Sequence, residues 1–289
     1  MQIKIIYIII FIIILDRKII NYFKFVKNRY LYNKALYYLY RNDVHNKPLN
    51  SIIKLKKVVY SALLGKYDII QPFNLQKGFD FILFTDVINI NNNETNWTIL
   101  PLPKELNNLN LSRVKKQRFI KLHPHLFFRN YNLSIYIDTT FQIQGDLNEF
   151  LLRVLTPKYN IYNFEHPKRN NIFEEAFIVA KIRKEKKIMI KLIKERYRKE
   201  KFPDNNGLIE GCLIIRKHNE KNCIYLMNKW FEEIEKYSHR DQLSFNYAIW
   251  KTGIKIKYIS KIFALNYFKQ FLHLQNKNLF LGKAMHKNI

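Results

Sequence analysis

Apolar runs and polar breaks alternate along most of the chain. In "KKVVYSALLGKYD" a β-branched apolar run over Val58–Leu64 stops at Gly65, and "FDFILFTD" is a second run that ends on Asp86. Runs of this length bounded by turn residues predict buried strands. "SRVKKQRFIKLHPHLF" offers Ser112 as an N-cap and predicts a helix that continues to Pro124. "LSIYIDTTFQI", Leu133–Ile143, predicts another buried strand, ending in a single carboxylate, Asp138. "GDLNEFLLRVL" predicts a short helix, "YNIYNF" a strand, and Ile172–Lys201 one long amphipathic helix with a densely basic polar face. A strand over Leu208–Ile215, helices over Lys221–Lys236 and Arg240–Lys251, and the strand-like "GIKIKYI" complete the pattern. Strands alternating with helices predict an α/β class fold with a doubly wound, mostly parallel sheet. Ligands in such sheets sit beyond the carboxyl ends of the strands, so Asp68, Asp86 and Asp138, each just after an apolar run, are expected on one rim.

The first residues break this pattern. "IIYIIIFIIIL", Ile5–Leu15, is uninterrupted and apolar, with Lys4 before it and Arg17, Lys18, Lys24 and Lys27 after it. It is shorter than the ~20 residues that span a bilayer, but Met1–Leu15 together with Ile19 and Ile20 would extend it with the charges snorkelling. No small-residue cleavage site follows, which favours a retained single-pass anchor over residues 1–20, with a buried strand as the alternative. Residues 21–54 are basic and tyrosine-rich, with helical spacing at Leu31, Ala35, Leu36 and Leu39, as in a stem or packing helix. The expected organisation is therefore anchor, stem, one α/β domain over 55–260 and a basic extension over 261–289. The chain is expected to be membrane-associated; the basic residues after the run would by the positive-inside rule keep the following chain cytosolic, but the head before the run is short and the side of the membrane stays open.

Composition adds one constraint and removes several. With 289 residues and 48% hydrophobic content, the chain buries a sizeable core. Fifty Lys+Arg against 23 Asp+Glu give a net charge of +27, which suits an anionic partner but also follows from a chain rich in Lys, Ile and Asn. No interleaved basic and aromatic recognition motif is present, so nucleic acid is not expected as a partner. Cys212 and Cys223 are too few for a disulfide framework or a zinc site. Dinucleotide, P-loop and nucleophile-elbow signatures are absent.

Three stretches carry candidate chemistry. Asp138 is either a strand-end cap or a metal and phosphate ligand. In "FEHPKRNNIFEEA", His166 and Arg169 follow a strand and Glu174 and Glu175 open a helix. Acidic residues there suit the helix dipole, and the alternative is a phosphate or acceptor clamp with Glu175 directed at the same pocket. "HRDQLSFNYAIW" sets Arg240, Asp241 and Gln242 ahead of an apolar helix, more polar groups than a cap requires.

Taken together, "VVYSALLGKYD", "FILFTD", "RVKKQRFIKLHPHLFFRNYNLSIYIDTTFQI", "EHPKRNNIFEEA", "FPDNNGLIEGCLIIRKHN" and "SHRDQLSFNYAIW" resemble, in order, a glycosyltransferase-like domain. That domain occurs in plant mucilage-related and turgor-regulation-defect proteins and in microbial capsular polysaccharide proteins. The order is also similar to GT-A transferases of the galactinol and glycogenin type. The resemblance implies a GT-A-like fold and transfer of a sugar from a nucleotide-sugar, most simply UDP-linked, to a glycan, glycolipid or glycoprotein acceptor. It implies donor contacts from Ala62, Gly65, Tyr67, Asp86 and Lys121, with Asp241 and Gln242 facing the sugar; to these the residue types add Arg169 and Arg240 as donor contacts and His166 or Glu175 near the acceptor. The strand-end metal motif of those enzymes is matched at Asp138, but Thr140 stands where a second aspartate is expected. A divalent cation, Mn²⁺ or Mg²⁺, would then need Glu175, Glu210 or a histidine such as His273 or His286 as a further ligand. The same carboxylate rim would also serve a metal-assisted amide or glycolipid hydrolase, and the basic charge alone would serve a non-catalytic polyanion-binding module.

Overall fold

A computed structural model describes residues 52, 54–65, 68, 70–87, 96–106 and 109–271. The proposed anchor, almost all of the stem, Tyr67, His273 and His286 lie outside the described residues. No helix among the described residues is long and apolar enough to cross a membrane.

The strands are β1 (Lys57–Leu63), β2 (Phe79–Thr85), β3 (Thr98–Pro101), β4 (Leu133–Ile137), β5 (Phe141–Ile143), β6 (Ile161–Glu165), β7 (Ile209–Arg216), β8 (Lys257–Ile259) and β9 (Phe268–Gln270). The helices are α1 (Arg113–Leu122), α2 (Pro124–Phe127), α3 (Leu147–Val154), α4 (Ile172–Lys181), α5 (Lys187–Lys199), α6 (Lys221–Lys236), α7 (Phe245–Thr252) and α8 (Lys261–Ala264). Seven strands form one sheet in the order β3-β2-β1-β4-β7-β6-β8, parallel except for β7, which is antiparallel to both of its neighbours.

Every residue of β1 and β4 is buried, as expected of central strands covered on both faces. Val58, Tyr60 and Ala62 share one face and pack in a single core with Ile120 of α1 and Leu226 and Trp230 of α6. Ser112 caps α1 as its sequence predicts, its hydroxyl accepting from the Lys115 N–H at 3.4 Å.

Two expectations are corrected. The single helix predicted over Ile172–Lys201 is two helices, α4 and α5. Arg183 adopts φ +55°, its N–H bonds the Ala180 carbonyl at 3.2 Å, and the Lys184 N–H reaches back to Val179 at 3.0 Å. This is a Schellman ending, usually built on glycine, here on an arginine. The basic extension placed after residue 260 begins inside the fold: β9 pairs antiparallel with β5, and Lys261 bonds Glu210. These contacts hold residues 261–271 against the end of β4 through the short β5 strand that follows it.

Candidate functional site

The reversal of β7 is what builds the site. Because β7 runs against its neighbours, its first residues reach the rim where β1 and β4 end. The Asp138 N–H donates to the Cys212 carbonyl at 2.9 Å, which fixes the end of β4 beside the start of β7. A cavity of about 580 Å³ opens there. Ala62 and Gly65 line it from β1, Asp138 and Thr140 from the turn after β4, and Glu210 and Cys212 from β7. Arg113, Gln117 and Arg118 face it from α1, and Arg240, Asp241 and Gln242 from the turn before α7. Asp68 joins the rim as well, accepting from the Thr139 hydroxyl at 3.2 Å.

Asp138 is oriented by Tyr136, whose hydroxyl donates to its Oδ1 at 2.9 Å and in turn accepts from the Gln117 side chain at 2.5 Å. Burial, reinforced by the Asp138 charge, holds the Tyr136 phenol protonated far above its ordinary range. It is therefore a permanent donor to the carboxylate. Two residues apart on one strand, Tyr136 and Asp138 share a face, so this link was available in the sequence but reads there as plain core.

Glu210 supplies a further carboxylate of the cavity, near Asp138. Its Oε1 is held by Lys261 Nζ at 2.5 Å, whereas Oε2 is buried with no hydrogen-bond partner. Burial raises its pKa; Lys261 opposes the shift and the nearby Asp138 charge adds to it. A buried carboxylate oxygen left without a donor is costly, and a cation would satisfy it. Among the described residues no group of three or more His, Cys, Asp and Glu gathers as a complete metal cage. Asp138, Glu210 and Thr140 line the same cavity, and carboxylate and hydroxyl oxygens are the donor types a hard cation takes when substrate and water complete its shell. Cys212, also on the wall, is kept as a neutral thiol by burial and by the Glu210 and Asp138 charges.

Asp241 lies at the floor. Lys121 Nζ contacts its Oδ2 at 2.5 Å, Arg118 Nε lies 3.5 Å from the same oxygen, and the Gln242 N–H donates to Oδ1 at 3.0 Å. Burial alone would raise the Asp241 pKa, but Arg118, Lys121 and Arg240 outweigh it and hold the carboxyl well below the usual range. Gly211, beside this pair, takes φ +79°, a left-handed conformation that favours glycine; a Cβ there would meet Asp241 Oδ2 at 3.4 Å and Lys121 Nζ at 3.6 Å, ordinary contact distances, so it is the backbone conformation that calls for glycine.

The expected site residues thus divide into three groups. Ala62, Gly65, Asp138, Glu210, Arg240, Asp241 and Gln242 come together around the cavity. Asp86 and Lys121 stand behind the wall: Asp86 accepts from the Gly65 N–H at 2.6 Å and pairs with Arg113 at 3.1 Å, while Lys121 is buried against Asp241. Arg118, one turn earlier on the same helix face, lines the cavity where Lys121 does not.

His166, Arg169 and Glu175 form a closed cluster off the cavity. Arg169 binds Glu175 Oε2 through Nε at 2.6 Å, and His166 Nδ1 faces the backbone N–H groups of Lys168 and Arg169. Glu175, 4% exposed, is engaged by Arg169 and is not among the cavity-lining residues that include Asp138. Residues missed by the sequence reading are Tyr136, Gln117, Arg118 and Lys184, whose strand, helix and turn positions gave no signal of a shared cavity.

The match to a known family extends over residues 40–277 and is to the "TOD1/MUCI70, glycosyltransferase-like domain". The chain belongs to this family. The TOD1/MUCI70 domain here is 28% identical over 156 residues to the "Probable hexosyltransferase MUCI70" of Arabidopsis thaliana, a stretch that covers 50% of this chain and 26% of that protein. The chain therefore spans about a quarter of the length of that curated relative. Among solved structures, the domain is similar to the WbbM bifunctional glycosyltransferase, with a TM-score of 0.45 and 14% identity over 71% of this chain and 39% of that one. The galactosyltransferase LgtC, in complex with donor and acceptor sugar analogues, has a TM-score of 0.40 and 11% identity over 70% of this chain and 72% of that one.

Proposed function

We propose that this TOD1/MUCI70 domain is a glycosyltransferase that moves a sugar from a UDP-linked donor to an acceptor hydroxyl on a glycan, glycolipid or glycoprotein. The observation that carries the reading is one cavity lined by Asp138 and Glu210, whose Oε2 lacks a partner, by Arg113, Arg118, Lys184 and Arg240, and by the Asp241–Gln242 pair.

Glycosyl transfer leaves a diphosphate on which negative charge grows as the anomeric bond breaks. Preorganised cations are effective against such charge because they are already in place when it develops. Arg118 is held by Gln117 and by the His239 carbonyl at 3.3 Å, so it meets the cavity with its geometry set. Asp241 stays ionised and immobile, suited to accept hydrogen bonds from sugar hydroxyls, and the Gln242 amide beside it is steadied by the Ile209 carbonyl at 3.3 Å. Asp138, Glu210 and Thr140 would hold a Mn²⁺ or Mg²⁺ ion, which would supply charge neutralisation of the diphosphate. The N-terminal apolar run is proposed to attach the domain to a membrane.

Calorimetric titration of the full chain with UDP-sugars, with and without Mn²⁺, tests the reading. Binding that needs both Mn²⁺ and Asp138, with transfer lost in Asp138→Asn, is expected. Full transfer by that variant, or no affinity for any nucleotide-sugar, overturns it.

A further inference from the structure

Among the described residues ten large apolar side chains are exposed, and four of them, Phe177, Ile182, Ile188 and Leu192, fall between positions 177 and 192. Exposed apolar residues scattered singly need no explanation, but a cluster does. This one spans the turn between α4 and α5, two helices that pack on each other through Ala176, Val179 and Ile190. In residues 181–188, "KIRKEKKI", every residue except Glu185 is exposed. Ile182 is 51% and Ile188 72% exposed, and Lys181, Arg183, Lys184, Lys186 and Lys187 share the turn with them.

We propose that this turn is a docking tip for an anionic lipid bilayer: Ile182 and Ile188 enter the headgroup layer, and the five cations contact its phosphate and carboxylate groups. Three observations support the assignment.

First, the turn combines exposed isoleucines with cations and sets them side by side. An anionic surface with an apolar layer beneath it uses both at once. A soluble polyanion would leave the isoleucines without a role, and a second copy of the chain would set five cations against five.

Second, the tip is preformed and its one carboxylate is turned inward. Glu185 Oε2 accepts from the Ser238 hydroxyl at 2.6 Å and lies 3.4 Å from His239 Nδ1, which ties the turn to the body of the domain. The left-handed Arg183 and the Lys184 N–H on Val179 fix its backbone. A segment already ordered loses little conformational entropy on docking.

Third, Lys184 belongs to the tip and also lines the cavity. Docking there brings the rim of the cavity to the bilayer, where a lipid-borne acceptor would be reached. That consequence rests on the proposed transferase activity; the docking itself does not.

A fluorophore at the tip tests the proposal. The native thiols Cys212 and Cys223 are buried, so Ile188→Cys in the full chain takes a single environment-sensitive label, and Leu75→Cys, at another exposed apolar position, serves as the control. Vesicles of phosphatidylcholine alone are compared with vesicles of equal parts phosphatidylcholine and phosphatidylserine. The label at 188 is expected to shift to blue emission only with the anionic vesicles and to return to its aqueous value at high salt, while the label at 75 stays aqueous. Each cation beside an anionic surface strengthens docking by about fivefold, so Lys186→Gln/Lys187→Gln should weaken the equilibrium read at 188 by about 25-fold. The proposal is overturned by the absence of a shift, by an equal shift with neutral vesicles or at position 75, or by a shift that the double variant leaves unchanged. A shift without vesicles that grows with protein concentration also overturns it, by identifying a second copy as the occupant. Vesicle co-sedimentation separates the tip from the N-terminal anchor. A chain that sediments with neutral vesicles while its label stays aqueous even with anionic ones keeps the anchor and loses the tip; a chain that binds only anionic vesicles, with its label shifted, keeps the tip and loses the anchor.

Discussion

Lys121 Nζ stands 2.5 Å from Asp241 Oδ2 in a contact closed to solvent, with Lys121 1% and Asp241 5% exposed. Removing one partner of such a pair leaves a buried charge uncompensated, at a cost of about 3–5 kcal/mol, whereas replacing both by apolar groups is far milder. Lys121→Met is therefore expected to lower the urea midpoint strongly, and the double variant Lys121→Met/Asp241→Leu to recover much of the loss. Arg118 softens the effect by keeping one cation on Asp241.

Acid should unfold the domain in two stages. His123, His125 and His218 lie close to the fully buried Arg216, and burial is the main reason their pKa values fall to about 4. An unfolded histidine takes up its proton near pH ~6.5, so the unfolded state binds more protons than the folded one as pH falls from there toward 4, and stability drops across that window. Asp241 acts lower down. Its depressed folded pKa contributes stability in full above the unfolded value of about 3.9, and that contribution is lost only as pH falls further. Urea midpoints measured against pH should show a reduced slope above pH 4 in His218→Gln, and a reduced slope below it in Asp241→Asn measured against its own neutral-pH midpoint.

Glu210→Gln should weaken Mn²⁺ binding by about tenfold or more, since a neutral amide replaces a charged oxygen ligand. Isothermal titration with Mn²⁺ in the presence of UDP reads this directly. Glu175→Gln should leave Mn²⁺ affinity unchanged, because Glu175 is engaged by Arg169. Equal loss in the two variants would remove Glu210 from the metal set.

Lys201 takes φ +60° at the end of α5, with its N–H on Arg198 at 3.0 Å and the Phe202 N–H on Tyr197 at 2.9 Å. A left-handed L-residue costs roughly 1–2 kcal/mol, partly offset in glycine by its greater unfolded-state entropy. Lys201→Gly, at an exposed position, is expected to raise stability by about 0.5–1 kcal/mol, measured as a higher urea midpoint with unchanged slope.

The end of α4 marks where local reading fails, while the end of α5 falls where the pattern predicted it. Arg183 occupies a turn position that usually announces itself as glycine, so the chain carries no stop signal there. The basic periodicity over Ile172–Lys201 continued across the break, and one helix was expected where two exist. The same break places Lys184 on the cavity wall, which explains why no sequence pattern pointed to it.

Strands, caps and most helix limits follow from the order of residues because they rest on local causes: β-branched apolar runs, the Ser112 cap, the spacing of Leu226, Trp230 and Ile234 on α6. Asp138 at a strand end and the Asp241–Gln242 pair were legible for the same reason, as polar groups at the ends of apolar elements. The companions of Asp138 were not. The antiparallel run of β7 sets Glu210 beside it, and the pairing of β9 with β5 carries Lys261 to Glu210, two arrangements between segments distant in the chain that no local preference encodes. Nor does residue type distinguish Glu175, engaged by an arginine in a closed cluster, from Glu210, with one oxygen unpartnered at a cavity. That difference arises from which buried charges the fold leaves without a partner.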